Sequence, residues 1–209
     1  MKNINEIDEV VLLNLLEEGK TFFYSGKYEE AIKVFDAIQL NNIDWHLDDL
    51  YFEILDLVGW SFRALERYAD AVEMFNKALK IKPEDAWTLF GKGLSLNELG
   101  EHEKALVSLS ESLRINPESV SALNSVSYSL HKLGKHKNAL AALDLALKID
   151  PKNELTVRNQ AIESREVDML MIKDFFHIKT EENEESKRDA GTSGELQNIV
   201  SEYLTKRKK

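Results

Sequence analysis

The chain has 209 residues, of which 43% are hydrophobic and 31% are charged, a balance typical of a soluble folded protein. It contains no cysteine, which excludes disulfides, thiolate zinc sites and cysteine nucleophiles. The net charge of −10 falls on residues 1–178, because the seven basic and seven acidic side chains from Lys179 onward cancel, and this acidic body predicts no nucleic-acid partner. The start of the chain lacks a basic leader and no apolar run is long enough for a membrane span, so we expect a cytoplasmic protein without membrane association.

The first two predicted elements are a helix over about 6–25 and a second over 27–40. Val10, Leu13 and Leu16 recur at helical spacing in the first helix, which ends at Ser25-Gly26. Ala31 and Phe35 lie on one face of the second helix. The two segments together predict a helix pair over about 12–45.

From residue 52 onward the sequence repeats every 34 residues. All three prolines keep this step, as do small and apolar residues at corresponding positions, namely Pro83, Pro117, Pro151; Ala71, Ala105, Ala139; Gly59, Gly93, Ser127; and Phe75, Leu109, Leu143. A fixed period between 20 and 50 residues indicates stacked helical repeats. We therefore predict copies at about 52–85, 86–119 and 120–153, with helices at about 45–65, 68–81, 84–98, 102–115, 118–132 and 136–149.

The residues after the last proline predict three further segments. A long helix at about 154–177 would cap the stack and complete a repeat domain over 1–178; Val157 and Ala161, with Met169, Ile172 and Phe176, are its expected packing residues. The apolar patch around Met169–Phe176 is alternatively a dimer or partner surface. A flexible acidic linker is predicted at 179–194. A short amphipathic helix with a basic end follows at 195–209, and its apolar face carries Leu196, Ile199, Val200 and Tyr203.

The repeated residues resemble the tetratricopeptide repeat (TPR) family. The pattern runs Leu55-x3-Gly59-x2-Phe62…Ala71-x3-Phe75-x2-Ala78…Pro83 and recurs in the next two copies, with Lys92 and Glu66 as departures from an apolar residue and a glycine. This resemblance implies an all-α fold, a right-handed superhelical solenoid of antiparallel helix pairs, with the capping helix and the tethered terminal helix appended.

The resemblance also implies where a ligand binds. The first helix of each pair lines a concave groove in this family. By helical phase, that face carries Trp60, Trp87, Phe90, Leu94, Asn124, Tyr128, Lys132 and Arg158, with Glu53 and Asp56 at an acidic end. Tryptophan and tyrosine are common interface anchors. The alternative is that Trp60 or Trp87 turns inward and fills the core.

One binding mode of the family is not expected. Members that bind the C-terminal carboxylate of a chaperone use lysine, asparagine and arginine at set positions of three successive groove helices. Those positions read Leu16, Lys20, Leu57, Trp87 and Gly91 in one register, and Asp56, Trp60, Gly91, Ser121 and Ser125 in the next. Neither set predicts a carboxylate clamp.

No pattern in the sequence indicates catalysis. There is no phosphate-binding glycine loop, and the five histidines show no i, i+4 ligand spacing. His131 and His136 flank a turn and are interpreted as surface residues, so we expect no enzyme, no cofactor and no metal. Three hypotheses remain: a non-enzymatic scaffold or adaptor that binds a protein or peptide partner in the groove, a self-associating module whose terminal helix docks in cis or in trans to give a homo-oligomer, and a regulatory subunit of an enzyme.

Overall fold

A computed structural model of the chain describes residues 9–38 and 48–184, with side-chain surroundings for 11–38 and 49–174. These ranges form nine helices and no strand, which confirms the all-α prediction: α1 (Glu9–Tyr24), α2 (Tyr28–Ala37), α3 (Asp48–Ala64), α4 (Tyr68–Ile81), α5 (Ala86–Glu98), α6 (His102–Ile115), α7 (Val120–Lys132), α8 (His136–Ile149) and α9 (Glu154–Glu184). The predicted terminal helix at 195–209 and residues 185–194 of the predicted linker lie outside the described residues.

The contacts divide the chain into two compact units, Met1–Val167 and Asp168–Lys209. In the first unit each helix packs mainly against its neighbours along the chain, and α3, α5 and α7 also contact one another in sequence. Nearest-neighbour packing of this kind is the expected architecture of a repeat solenoid.

The core of the first unit uses the residues that keep the 34-residue step. Ala71, Ala105 and Ala139 are fully buried, as are the larger side chains Phe75 and Leu109. The small residue in each first helix makes room for them, because a Cβ at Gly59 would lie 2.7 Å from the ring of Phe75 and one at Gly93 would lie 2.6 Å from Leu109. Alternation of large and small residues therefore sets the distance between paired helices.

The turns inside the helix pairs share a left-handed residue. Gly26, Gly100 and Gly134 have φ values of 77°, 76° and 69°, and Glu66 occupies the same place with φ of 58°. After Gly100, the amide of Glu101 donates to the carbonyl of Leu96, which closes the end of α5. Glycine suits this conformation and glutamate does not, since a Cβ clashes there.

Two helix starts differ from the predicted bounds by two residues. Helix α5 begins at Ala86 because Asp85 caps it, accepting a hydrogen bond of 2.8 Å from the amide of Thr88. Helix α7 begins at Val120, capped by Ser119. The prolines lie just before these caps, where they cannot interrupt the preceding helix.

Helix α9 differs more from expectation. It continues to Glu184, beyond the expected end at 177 and into the first residues of the predicted linker. The prediction that Val157 and Ala161 pack inward is wrong, because both are exposed while Thr156, Glu163 and Val167 are buried. The buried face of α9 in the first unit is therefore largely polar and makes hydrogen bonds to the repeats.

Polar contacts link each first helix to the first helix of the next pair. Three of them join residues 32 apart, in each case with a buried or partly buried partner on both sides: Asp56 with Thr88 at 2.8 Å, Asn97 with Ser129 at 2.7 Å, and Asn124 with Thr156 at 2.7 Å. Because the repeat length is 34, such a step connects one position to the position two residues earlier in the following copy.

Candidate ligand groove

Three aromatic rings from α3 and α5 form a cluster that we call the aromatic platform. The indole rings of Trp60 and Trp87 are stacked, with centroids 4.6 Å apart and planes inclined by 26°. Phe90 lies 5.7 Å from Trp87 and 6.4 Å from Trp60. Trp87 is 58% exposed. The cluster thus presents a large aromatic surface from the two helices that phase analysis assigned to the groove.

Trp60 is the side chain that ties the platform to the core. Its ring meets Phe75 edge-on at 5.5 Å, and only part of it is exposed. A Cβ at Gly91 would lie 2.8 Å from Trp60 and 2.7 Å from Phe75, so glycine at this position lets the indole lie against α5. The indole nitrogen of Trp60 is buried and makes no well-aligned hydrogen bond, although the carboxyl group of Asp56 is near enough to interact with it. Trp60 therefore turns partly inward, while Trp87 faces outward.

The predicted acidic end carries less free charge than its sequence suggests. Glu53 pairs with Lys20 at 2.7 Å. Burial raises the pKa of Asp56 to about 6, against a smaller opposite effect from the hydrogen bond with Thr88. The carboxyl group of Asp56 is thus an interhelix contact, and it is partly protonated slightly below neutral pH.

The far end of the predicted groove is open and basic. Tyr128 is 44% exposed, and the amino group of Lys132 lies 5.3 Å from its ring centroid. Arg158 is exposed and Leu94 is half-buried. Asn124 differs from these, since its amide is buried and donates to Thr156, which makes it a structural residue rather than an exposed ligand contact.

A cavity of about 210 Å³ lies beside Tyr128, between α7 and α9. At its edge His131, His136 and Glu163 come together: Nδ1 of His131 is 2.6 Å and Nδ1 of His136 is 3.0 Å from the carboxylate of Glu163. The interpretation of His136 as a surface residue is wrong, since only 15% of its side chain is exposed. Sequence analysis missed the group because Glu163 is 27 and 32 residues away from the two histidines.

A larger cavity of about 480 Å³ lies between α4, α5 and α6, away from the aromatic platform. Val72, Leu96 and Leu99 line it together with Lys92. Burial lowers the pKa of Lys92, because removal from water disfavours the ammonium form. Lys92 is the residue that departs from the apolar repeat pattern, and nothing around the cavity indicates a ligand.

The sequence profile described as tetratricopeptide repeat matches residues 16–86, 57–115 and 90–154. These overlapping matches span more than half of the 209 residues. This chain belongs to the tetratricopeptide repeat family. The helix pairs of this TPR protein follow the family pattern, and α9 begins at the last residue of the third matched segment.

Solved structures with the same fold are similar to this TPR protein at low sequence identity. MamA from Desulfovibrio magneticus RS-1 is 19% identical with a TM-score of 0.69, over 85% of this chain and 97% of that one. The Sgt2 TPR domain from Aspergillus fumigatus is 17% identical with a TM-score of 0.54, over 68% and 87%. The first TPR domain of Spaghetti (RPAP3), bound to the HSP90 peptide SRMEEVD, is 15% identical with a TM-score of 0.56, over 59% and 98%.

No curated protein sequence matches this chain significantly. Among the described residues, no helix has both the length and the apolar character required to cross a lipid bilayer.

Proposed function

We propose that this TPR protein is a non-enzymatic scaffold that binds a peptide or helical segment of a protein partner on its aromatic platform. The observation that carries the proposal is the stacked pair of Trp60 and Trp87, with Trp87 more than half exposed. Tryptophan offers a large apolar contact at low entropic cost, and it is among the residues most enriched in binding hot spots.

The charges around the platform indicate the chemistry of the partner. Glu53 is paired with Lys20, and Asp56 is only partly exposed and is hydrogen-bonded to Thr88, so one end of the groove presents little free negative charge. At the other end Lys132 and Arg158 are exposed and form no ion pair within the described residues. We expect a segment with a large apolar side chain for the platform, followed by acidic residues that approach Lys132 and Arg158.

A chaperone-tail ligand is not favoured by the side chains. The RPAP3 domain is bound to the HSP90 peptide SRMEEVD. In this chain the positions that the family uses for a terminal carboxylate hold Leu16, Lys20, Leu57, Trp87 and Gly91, of which only Lys20 is charged, and Lys20 is already paired with Glu17 and Glu53. The partner is therefore expected to be recognised through internal side chains. Docking of the terminal helix at 195–209 stays a prediction, since those residues lie outside the described ones.

A phage-displayed library of random peptides, panned on the immobilised full chain, tests the proposal. We expect enrichment of peptides with a tryptophan, phenylalanine or leucine followed by acidic residues. Synthetic peptides of the enriched sequences should then bind in titrations followed by tryptophan fluorescence. Trp87→Ala should weaken this binding by at least about tenfold, equivalent to roughly 1.4 kcal/mol.

The matched control is Val107→Ala on α6, which removes an apolar side chain that is 67% exposed and remote from the platform. This variant should bind the peptides as tightly as the wild type. Equal affinity of Trp87→Ala and wild type, with unchanged helicity by circular dichroism, would show that the platform is not the binding surface.

A further inference from the structure

Glu163 occupies a repeat position that is otherwise serine. Ser61, Ser95 and Ser129 keep the 34-residue step, and the hydroxyl of each lies within hydrogen-bond distance of the carbonyl four residues earlier. The next position in this series is 163. All four residues are buried, with Glu163 only 4% exposed. The last copy thus places a carboxylate where the preceding copies place a small neutral hydroxyl.

The partners of this position change together with it. Ser129 donates to the amide oxygen of Asn97, which also lies 3.1 Å from the ring of His102. One copy later the corresponding residues are His131 for Asn97 and His136 for His102. A serine, an asparagine and a histidine are therefore replaced by a glutamate and two histidines.

The geometry of the three side chains favours a shared cation. Nδ1 of His131 is buried and makes no hydrogen bond of acceptable geometry, although it lies only 2.6 Å from Oε1 of Glu163. A ring nitrogen points its N–H bond, when protonated, and its lone pair, when not, in the same direction. Because Nδ1 of His131 makes no hydrogen bond to the nearby Oε1 of Glu163, that direction passes beside the oxygen atom. Two ligands of one metal ion have this relation, because both are directed at the ion between them.

A buried carboxylate also requires compensation. An unpaired charge is energetically costly in a low-dielectric interior. Neutral imidazoles can stabilise the negative charge of Glu163 only by donating hydrogen bonds to it. A divalent cation between the carboxylate and the two imidazoles would compensate it directly. Imidazole nitrogen and carboxylate oxygen are ligands that zinc accepts in combination.

We propose that His131, His136 and Glu163 bind one divalent transition-metal ion, with zinc as the preferred ion. The ligand atoms of the three residues all lie within 4.8 Å of one another. Two ligands of a tetrahedral zinc ion with bonds of about 2.1 Å are roughly 3.4 Å apart, so small side-chain rotations suffice. The adjoining cavity of about 210 Å³ provides an entry path and space for a water ligand in the fourth position.

The three proposed ligands lie on three different helices, so a bound ion would connect these helices. His131 is in the last turn of α7, His136 is the first residue of α8, and Glu163 is in α9. One ion would therefore fasten the turn of the last repeat to the helix that covers it. This inference is independent of the peptide ligand, since none of the three residues belongs to the aromatic platform.

Titration calorimetry of ZnCl₂ into the tag-free, chelator-treated full chain at about pH 7.5 tests the proposal. We expect one ion bound per chain and a higher melting temperature with zinc. Visible d–d bands of bound Co²⁺ would report on the coordination. Mg²⁺ should neither bind nor stabilise, because it prefers oxygen ligands in an octahedral arrangement.

Glu163→Ser is the decisive variant, since it restores the residue of the three preceding copies and is expected to fold. Zinc affinity should fall by more than the roughly 100-fold that loss of an outer-shell partner costs, and His136→Ala should do the same. His102→Ala, the matched position one repeat earlier, should bind zinc normally. The proposal is overturned if the wild type does not bind zinc, or if Glu163→Ser binds it equally well.

Discussion

The hydroxyl of Thr88 lies 2.8 Å from a carboxylate oxygen of Asp56 and 2.8 Å from a carboxylate oxygen of Asp85. A hydroxyl carries a single proton, so Thr88 donates to only one of these two anions at a time. When Asp56 is protonated, it donates to Thr88 and Thr88 donates to Asp85, which satisfies all three groups. Burial remains the main reason that the pKa of Asp56 is raised, the negative charge of Asp85 adds to it, and the hydrogen bond from Thr88 opposes the shift only in part.

The same arrangement recurs 68 residues later without charges. Asn124 donates to Thr156 at 2.7 Å, and Thr156 donates to Asn153 at 2.8 Å. The positions correspond to Asp56, Thr88 and Asp85 by two repeat lengths. The amide of Asn124 thus performs the donor role that Asp56 can perform only after it binds a proton.

The first prediction is that Asp56→Asn stabilises the protein at neutral pH but not at about pH 4. The folded pKa of Asp56 is raised from 3.8 to about 6, so the folded state binds more protons than the unfolded state between these values. Stability therefore falls as pH rises through this window, by about 3 kcal/mol in all. Urea unfolding across this pH range should show that the free energy of unfolding of the variant, relative to that of the wild type, increases with pH.

Asn124→Asp is the reciprocal control for this prediction. A carboxylate at the buried position 124 should lower the free energy of unfolding at pH 7 and recover much of it in acid. A parallel pH dependence for wild type and Asp56→Asn would contradict the account of the Asp56 network.

The second prediction concerns Gly91→Ala. The new methyl group would lie 2.7 Å from Phe75 and 2.8 Å from Trp60, so the indole must move. We expect a loss of about 1–3 kcal/mol in stability, together with a change in the near-ultraviolet circular dichroism of the stacked indoles. Gly93→Ala should lose similar stability through contact with Leu109 while leaving the indole signal intact. If both variants keep the signal, Gly91 does not position Trp60.

The third prediction is that Glu66→Gly stabilises the protein by roughly 1 kcal/mol. Glu66 has φ of 58°, a conformation that costs a residue with a Cβ about 1–2 kcal/mol, partly offset by the greater freedom of glycine in the unfolded chain. The reverse change at the corresponding turn, Gly100→Ala, should destabilise. Midpoints of urea unfolding measure both effects, and a less stable Glu66→Gly would refute the strain at this turn.

The fourth prediction is that Lys92→Leu stabilises the protein by about 1 kcal/mol through added apolar contact in the larger cavity. The gain should shrink as pH rises toward 10.5, the ordinary lysine pKa, because burial penalises only the charged ammonium group. Lys104 lines the same cavity but is exposed and paired with Glu101. The control Lys104→Leu should therefore change the free energy of unfolding by less than about 0.5 kcal/mol. A loss of stability in Lys92→Leu would indicate that the ammonium group has a favourable role.

The repeat architecture could be predicted from the sequence because its determinants are periodic. Ala71, Ala105 and Ala139 keep one step and are all fully buried, and glycine ends the first helix at residues 100 and 134. Helical phase also placed Trp60 and Trp87 on one face. It could not show that their rings stack, since ring contact depends on how closely α3 and α5 approach.

The polar contacts could not be predicted in the same way, because hydrogen bonds between copies run at 32 residues while the sequence repeats at 34. Glu163 was missed for the same reason. A search of the 34-residue step for polar residues would have found it after Ser61, Ser95 and Ser129. The apolar pattern of α9 also misled, since its buried face in the first unit includes Thr156 and Glu163.

The 32-residue contacts imply that the copies have a fixed order. If segments 86–119 and 120–153 exchanged places, Asp56 would face Ala122 in place of Thr88, and Glu163 would face Asn97 in place of His131. Each copy would still fold as a helix pair, but its polar edge would meet the wrong neighbour. Each junction between copies is therefore specified by a matched pair of polar residues. Shuffled or duplicated versions of this protein would have to keep both residues of each pair in neighbouring copies.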